Sequence, residues 1–293
     1  MATSATPDDY YDHLPEEGHW PGDIWCMLPS YGVLKTETTA GIVITPACDL
    51  QNNKSDTITY LPVVAVESWY ATISVLSDVR ATTQQYLNQL LESAPPLSRF
   101  PSENELGTIE RAVTDAKDKN NLRERVNAGL DAIRTITSPA SHNADLQKLR
   151  TLFGPKVFVE RCEKLVRNSL RSDCYFLPGR NSWAITDIPG DTFRGHSVAM
   201  FRYPLTAPLD VLELAGEAPE ETWPQTLQAY GALPSAKFFA HRPLRVARLK
   251  GHFLVDLLAR YTALYGRVGA SDFSERIVTR LAKDIADPKT TIP

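Results

Sequence analysis

Apolar positions along this chain change their period from one stretch to the next. Between Pro21 and Val66 they fall in short runs: Ile24-Trp25-Cys26-Met27-Leu28, then Gly41 to Ile44, then Thr57 to Val66. Short apolar runs rich in β-branched and aromatic residues predict strands, the first of them buried on both faces. Asn52-Asn53-Lys54-Ser55-Asp56 supplies a turn cluster before the third. Pro62 inside that strand predicts an edge or a bulge, because proline has no N–H to give to a ladder.

From about Ser68 the spacing becomes helical, with Trp69, Ile73, Leu76, Val79, Tyr86, Leu87 and Leu90 on one side. After Pro95-Pro96 and Pro101, Ser102 opens a charged helix to about Ile136. Ile109, Val113, Leu122, Val126, Leu130 and Ile133 form its narrow apolar stripe, and Asn120-Asn121 is its expected break point. Pro139 to His142 reads as a linker, and Gly154-Pro155 begins another helix, since proline suits a first turn. Strand character returns at Cys174–Leu177, Trp183–Ile185 and Ser197–Tyr203. Phe253, Leu254, Leu257, Leu258, Tyr261, Leu264 and Tyr265 then mark a helix stopped by Gly266 and Gly269. Ser271-Asp272 caps a last one to about Ile285.

This order predicts an α+β protein: a β-barrel interrupted by a long helical insertion, with C-terminal helices. The expected divisions are an acidic flexible arm at 1–20, the first barrel part at 21–67 and a helical insertion at 68–170. The second β part follows at 171–210, and a mainly helical region at 211–293.

Charge sharpens the picture at the two ends. Met1 to Trp25 carries six carboxylates and no Lys or Arg, whereas Lys237 to Arg267 carries seven Lys or Arg against Asp256 alone. A segment so basic suits phosphate or an acidic partner; in the plainer reading its charges line the wet face of a helix and pair with the acidic N-terminus. Cysteines 26, 48, 162 and 174 make no CxxC pair, so no zinc site or redox dithiol is expected. The start lacks a basic-plus-apolar leader, and no apolar run approaches the ~20 residues that span a bilayer. A cytoplasmic protein without cofactor, metal or membrane contact is the expectation. Phosphate-loop, dinucleotide, zincin and hydrolase signatures are absent.

The order Pro21-Gly22-Asp23-Ile24, Gly41-Ile42-Val43-Ile44-Thr45-Pro46, Asp56-Thr57-Ile58 and Leu61-Pro62-Val63 resembles the MazF/PemK toxin family. The likeness covers about 45 of the 293 residues. It implies an SH3-like barrel, a fold on which many members cut single-stranded RNA. The arginine that opens the second strand of those ribonucleases corresponds here to Thr39 or Ala40. Without it, nothing there stabilises the charge that develops on a scissile phosphate. The resemblance therefore implies a reused barrel. The expected function is a non-catalytic bacterial regulatory or interaction protein of toxin–antitoxin or antiphage systems, with a protein partner. The alternative is an endoribonuclease whose catalytic residues have moved.

Candidate chemistry starts at the end of the second strand. Cys48 beside Asp49 offers a nucleophile and an orienting carboxylate, if a histidine reaches them through folding. The plainer reading packs Cys48 as a small apolar residue and lets Asp49 accept amides of Gln51 or Asn52 in a turn. Arg171, Arg180, Arg194 and His196 surround the second β segment, where they suit a nucleotide phosphate or RNA backbone or read as ordinary hairpin charges; Arg171, Arg180 and His196 are the replacement candidates for the missing arginine. Lys237, Arg242, Arg245, Arg248 and Lys250, interleaved with Phe238 and Phe239, suit a protein partner or an RNA strand. The same residues also read as an amphipathic strand laid over the barrel.

Overall fold

The structure is a computed structural model and describes residues 6–12, 18–52, 54–116, 119–179, 195–229 and 236–266. Its strands form one antiparallel sheet. They are β1 (Tyr11–Asp12), β2 (Asp23–Pro29), β3 (Thr38–Val43), β4 (Thr57–Ala65), β5 (Cys174–Leu177), β6 (Ser197–Met200), β7 (Leu205–Pro208) and β8 (Leu244–Leu249). The hydrogen-bonded order is β1-β8-β2-β3-β4-β6-β5, with β7 beside β4. The helices are α1 (Ala47–Gln51), α2 (Val66–Tyr70), α3 (Ile73–Leu90), α4 (Glu103–Asp115), α5 (Asn120–Thr137), α6 (Leu146–Phe153), α7 (Pro155–Val166), α8 (Leu209–Glu217), α9 (Trp223–Ala229) and α10 (Gly251–Tyr265).

The fold is thus α+β, and the three strands expected near the N-terminus form where the β-branched runs lie. The long β4 pairs with β7 through Thr57–Tyr60 and with β6 through Val63–Ala65. Between those registers, residues 201–204 bulge opposite Leu61-Pro62, so the proline sits where its partner strand is interrupted.

Alternation along the strands divides the core. Val64, Cys174, Phe176, Val198 and Met200 face the helices α3 to α7. Their neighbours Leu61, Val63, Tyr175, Leu177 and Ala199 face a second cluster, which holds Tyr11, Ile24, Cys26 and Leu257 of α10. A third cluster joins Trp25, Leu28, Ile58 and Tyr60 to α8 and to Trp223 of α9. The sheet ladder does not close, but its two end strands approach. The Tyr11 hydroxyl of β1 donates to the Pro178 carbonyl just past β5, at 2.7 Å. Here α10 lines the gap, with the Tyr265 hydroxyl donating to Phe201 O at 2.7 Å and Tyr10 stacked on Phe253 at 3.7 Å.

Several expectations need correction. Residues 6–12 of the acidic arm are not loose: Tyr11 is 1% exposed and pairs with Leu249, because an aromatic ring at this edge seals the second cluster. The charged helix breaks before Asn120, which itself opens α5. An additional helix, α6, starts where Asp145 accepts the amides of Gln147 and Lys148. The region taken as mainly helical supplies β8, a strand inserted between β1 and β2. The strand expected at Trp183–Ile185 and the final helix lie outside the described residues.

Candidate functional site

At the Thr45–Asp49 corner the chain makes a helical turn. Thr45 Oγ1 accepts the Thr59 amide at 2.6 Å, and α1 begins at once. The turn directs Leu50 inward and leaves Cys48 exposed. Its Sγ is 3.5 Å from Asp49 Oδ1. Asn52 Nδ2 donates to Cys48 O at 2.6 Å, and Lys54 N donates to the main-chain oxygen of Asp49 at 2.9 Å. Both halves of the plainer reading are therefore corrected, because the strand ends through Thr45 rather than through Asp49, and the thiol faces solvent. No described histidine or arginine bonds either side chain.

The described replacement candidates, Arg171 and His196, are occupied elsewhere. His196 Nδ1 accepts the Gly179 amide at 3.0 Å, its ring lies 5.4 Å from Phe176, and its carbonyl accepts Val66 N. It fastens the β5–β6 hairpin to the start of α2. Arg171 grips Asp173 with two bonds of 2.8 and 2.9 Å, and Arg202 reaches the same carboxylate at 2.8 Å. Arg180 and Arg194 lie outside the described residues.

Thr39 and Ala40, at the position of the family arginine, are 6% and 1% exposed. Thr39 Oγ1 bonds to Ala40 O and Val63 O at 2.9 and 3.1 Å. Both residues line a cavity of about 230 Å³ that Lys35, Ser68, Thr72 and His142 share. Lys35 straps this side shut, its Nζ donating to Thr135 O at 2.6 Å and Ser141 O at 3.0 Å. Burial lowers the pKa of that amine.

The basic segment divides by function. In β8 the register against β2 shifts by one residue, from Ile24↔Ala247 to Trp25↔Arg245, so Val246 is extra. Residues three apart on a regular strand face opposite ways; the bulge puts Arg245 and Arg248 on one face, beside Asp23 and Trp25. Asp23 is fully buried. It accepts Arg248 Nε at 2.7 Å, Arg245 Nη1 at 3.3 Å and the Trp20 amide at 2.9 Å. Arg248 also lies 5.6 Å from the Trp20 ring centre, and Arg245 bonds the Gly18 carbonyl. The pairing of basic segment with acidic N-terminus is real, on a strand rather than on a helix. Arg242 Nε donates to Ala215 O at 2.7 Å. Lys250 caps α10, its amide held by Tyr10 O.

Lys237 stands apart. It is exposed, 5.0 Å from the ring centre of Phe238, which is 43% exposed and meets Tyr31 edge-on at 4.9 Å. These residues and the loop at 32–37 border a groove of about 480 Å³. Tyr31 escaped the sequence reading, although an aromatic residue before a glycine in a strand-connecting loop is a cue for exposed contact.

The four cysteines are free, and among the described residues no three metal-ligating side chains come together. Burial pushes the Cys174 thiol up to about 12, and it raises the Cys162 thiol as well, so neither is a ready nucleophile. No described helix is long and apolar enough to cross a membrane. Searches against family models, curated proteins and solved structures find no match for the chain.

Proposed function

We propose that the chain is a non-catalytic regulatory or interaction protein on an SH3-like barrel, of the kind its toxin-like strands imply for toxin–antitoxin or antiphage systems. One observation carries the reading: at the position of the family arginine, Thr39 is buried beside the helical insertion that Lys35 ties down, and Ala40 is buried in the core beneath α10. Neither residue offers a phosphate the cation that the family's arginine supplies. The curled sheet, with its end strands joined through Tyr11 and Pro178, supports the barrel half of the proposal.

The binding surface is the groove between the 30–37 loop and Lys237-Phe238. An exposed phenyl ring against a half-buried tyrosine, with a cation beside them, matches the residue types that carry binding energy at protein interfaces. An acidic, aromatic-bearing protein segment is the partner this surface fits.

The test uses the full chain and its Lys237→Glu/Phe238→Ser variant as bait at low salt. A protein partner recovered by the first and lost by the second is the expected result. Equal recovery of that partner by both baits would reject the groove. Metal-independent RNA cleavage that disappears in His196→Ala would replace the proposal with the endoribonuclease reading.

A further inference from the structure

The arginine face of β8 borders another cavity, which shares no lining residue with the loop groove and is independent of the proposal above. Its volume is about 290 Å³, and it lies between β2, β8 and α8, lined among others by His19, Trp25, Glu213, Arg242 and Arg245. Trp25 is 3% exposed, and its Nε1 has no hydrogen-bond partner among the described residues; the same is true of the buried Nδ1 of His19. The rings stack at 5.7 Å with planes 21° apart, so both belong to one wall. An unpaired buried polar group costs about 1–3 kcal/mol, and native proteins satisfy nearly all of theirs. Two residues that carry such atoms line this one small cavity, which suits a ligand that completes the bonding.

The lining chemistry selects the ligand. An indole N–H and a guanidinium only donate, so the group they meet must be an acceptor. Two arginines line the cavity against one carboxylate, Glu213. Arg245 is shared with Asp23, while the acidic neighbour of Arg242 is Glu220, 3.9 Å away and 66% exposed. Burial first, and then Arg245, lowers the His19 pKa. The volume is at the low end of small-molecule sites, which begin near roughly 300 Å³.

We propose that this cavity binds a small oxyanion ligand, a phosphate or carboxylate group on a molecule no larger than a mononucleotide, held by Trp25 Nε1–H and the Arg242 guanidinium. The bulge at Val246 is the device that builds the site, since it turns Arg245 to the same face as Trp25. Leu212, Ala215 and Pro243 give the ligand's less polar part an apolar flank.

The indole N–H signals of the five tryptophans in the ¹⁵N-labelled full chain provide the readout, with Trp25 assigned from Trp25→Phe. Inorganic phosphate, adenosine monophosphate and succinate are titrated separately, so that phosphate and carboxylate sources are distinguished. The Trp25 signal should move saturably with at least one probe. Arg242→Gln should weaken that binding about tenfold or more, the scale of a lost charge-assisted bond. His19→Phe keeps the ring stack and removes the nitrogen, and it serves as the second variant if Arg242→Gln unfolds. Lys237→Gln in the other groove should change nothing. Absence of a saturable shift with all three probes overturns the proposal, as does a shift that both cavity variants leave unaltered.

Discussion

Asp173 shows how one residue can hold a hairpin to its neighbours. Its side chain is 6% exposed, and Arg171 meets it with both ends of the guanidinium fork. Arg202 is 57% exposed, so solvent screens its contribution and Arg171 carries most of the pairing. Burial alone would raise the carboxyl pKa, but the bonds from Arg171 and Arg202 outweigh it and hold the value below the ordinary one. An acid whose folded pKa is depressed contributes stability above its unfolded value, about 3.9, and loses it as pH falls through the folded value. Asp173→Asn should therefore cost about 2–3 kcal/mol at pH 7, the range for breaking a largely buried pair. Urea midpoints of variant and parent should converge as pH drops below about 3.9; a gap that stays constant would show that the charge pairing contributes nothing.

Between helices, α3 and α5 approach closely where Gly129 faces the buried Thr83. A Cβ at Gly129 would overlap the Thr83 hydroxyl and meet its Cγ2 at 2.9 Å. Alanine would gain about 1 kcal/mol of helix propensity over glycine, but overpacking costs typically about 1–3 kcal/mol. We expect Gly129→Ala to destabilise the protein, and Gly129→Ala/Thr83→Ala to be less damaged than the two single changes summed. A Gly129→Ala protein with a higher melting temperature would refute the close contact. The periodicity that predicts α3 and α5 contains both residues yet shows neither the contact nor its tightness. Long patterned segments such as α3, α5 and α10 are legible because many positions repeat one spacing. An eight-residue helix like α6 offers too few repeats, and its capping Asp145 is the only strong local signal. The arginine face is harder still. Residues 244–249 read as an amphipathic strand, but only the bulge at Val246 decides that Arg245 and Arg248 share a side with Trp25. That bulge follows from pairing with β2, more than 200 residues away, and no local pattern encodes it. The Cys48-Asp49 corner fails for a similar reason, since the amide that ends the strand comes from Thr59.

At the scale of the whole molecule the sheet is a wall shared by two cores. Cys174 and Phe176 of β5 belong to the helical core, while Tyr175 and Leu177 between them belong to the core beneath α10. The same division runs through β6, with Val198 and Met200 on one side and Ala199 on the other. Melting α3 to α7 would leave one face of these strands bare, and fraying the strands would open both cores. Lys35 adds a polar tie, from the β2–β3 loop to the carbonyls at the end of α5. The insertion and the sheet should therefore unfold in one cooperative transition, even though 68–170 reads as a separate division of the sequence. Far-UV circular dichroism follows mainly the helices, whereas tryptophan fluorescence reports both Trp69 in the helical core and Trp25 and Trp223 beside the sheet. Urea curves from the two probes should coincide. Phe176→Ala, expected to cost about 3–5 kcal/mol, should move both midpoints by the same amount, because its strand serves both cores. If the helical signal shifted alone, the insertion would be an independently folding unit resting on the sheet, and the burial of Thr39 beside it would be a reversible cover.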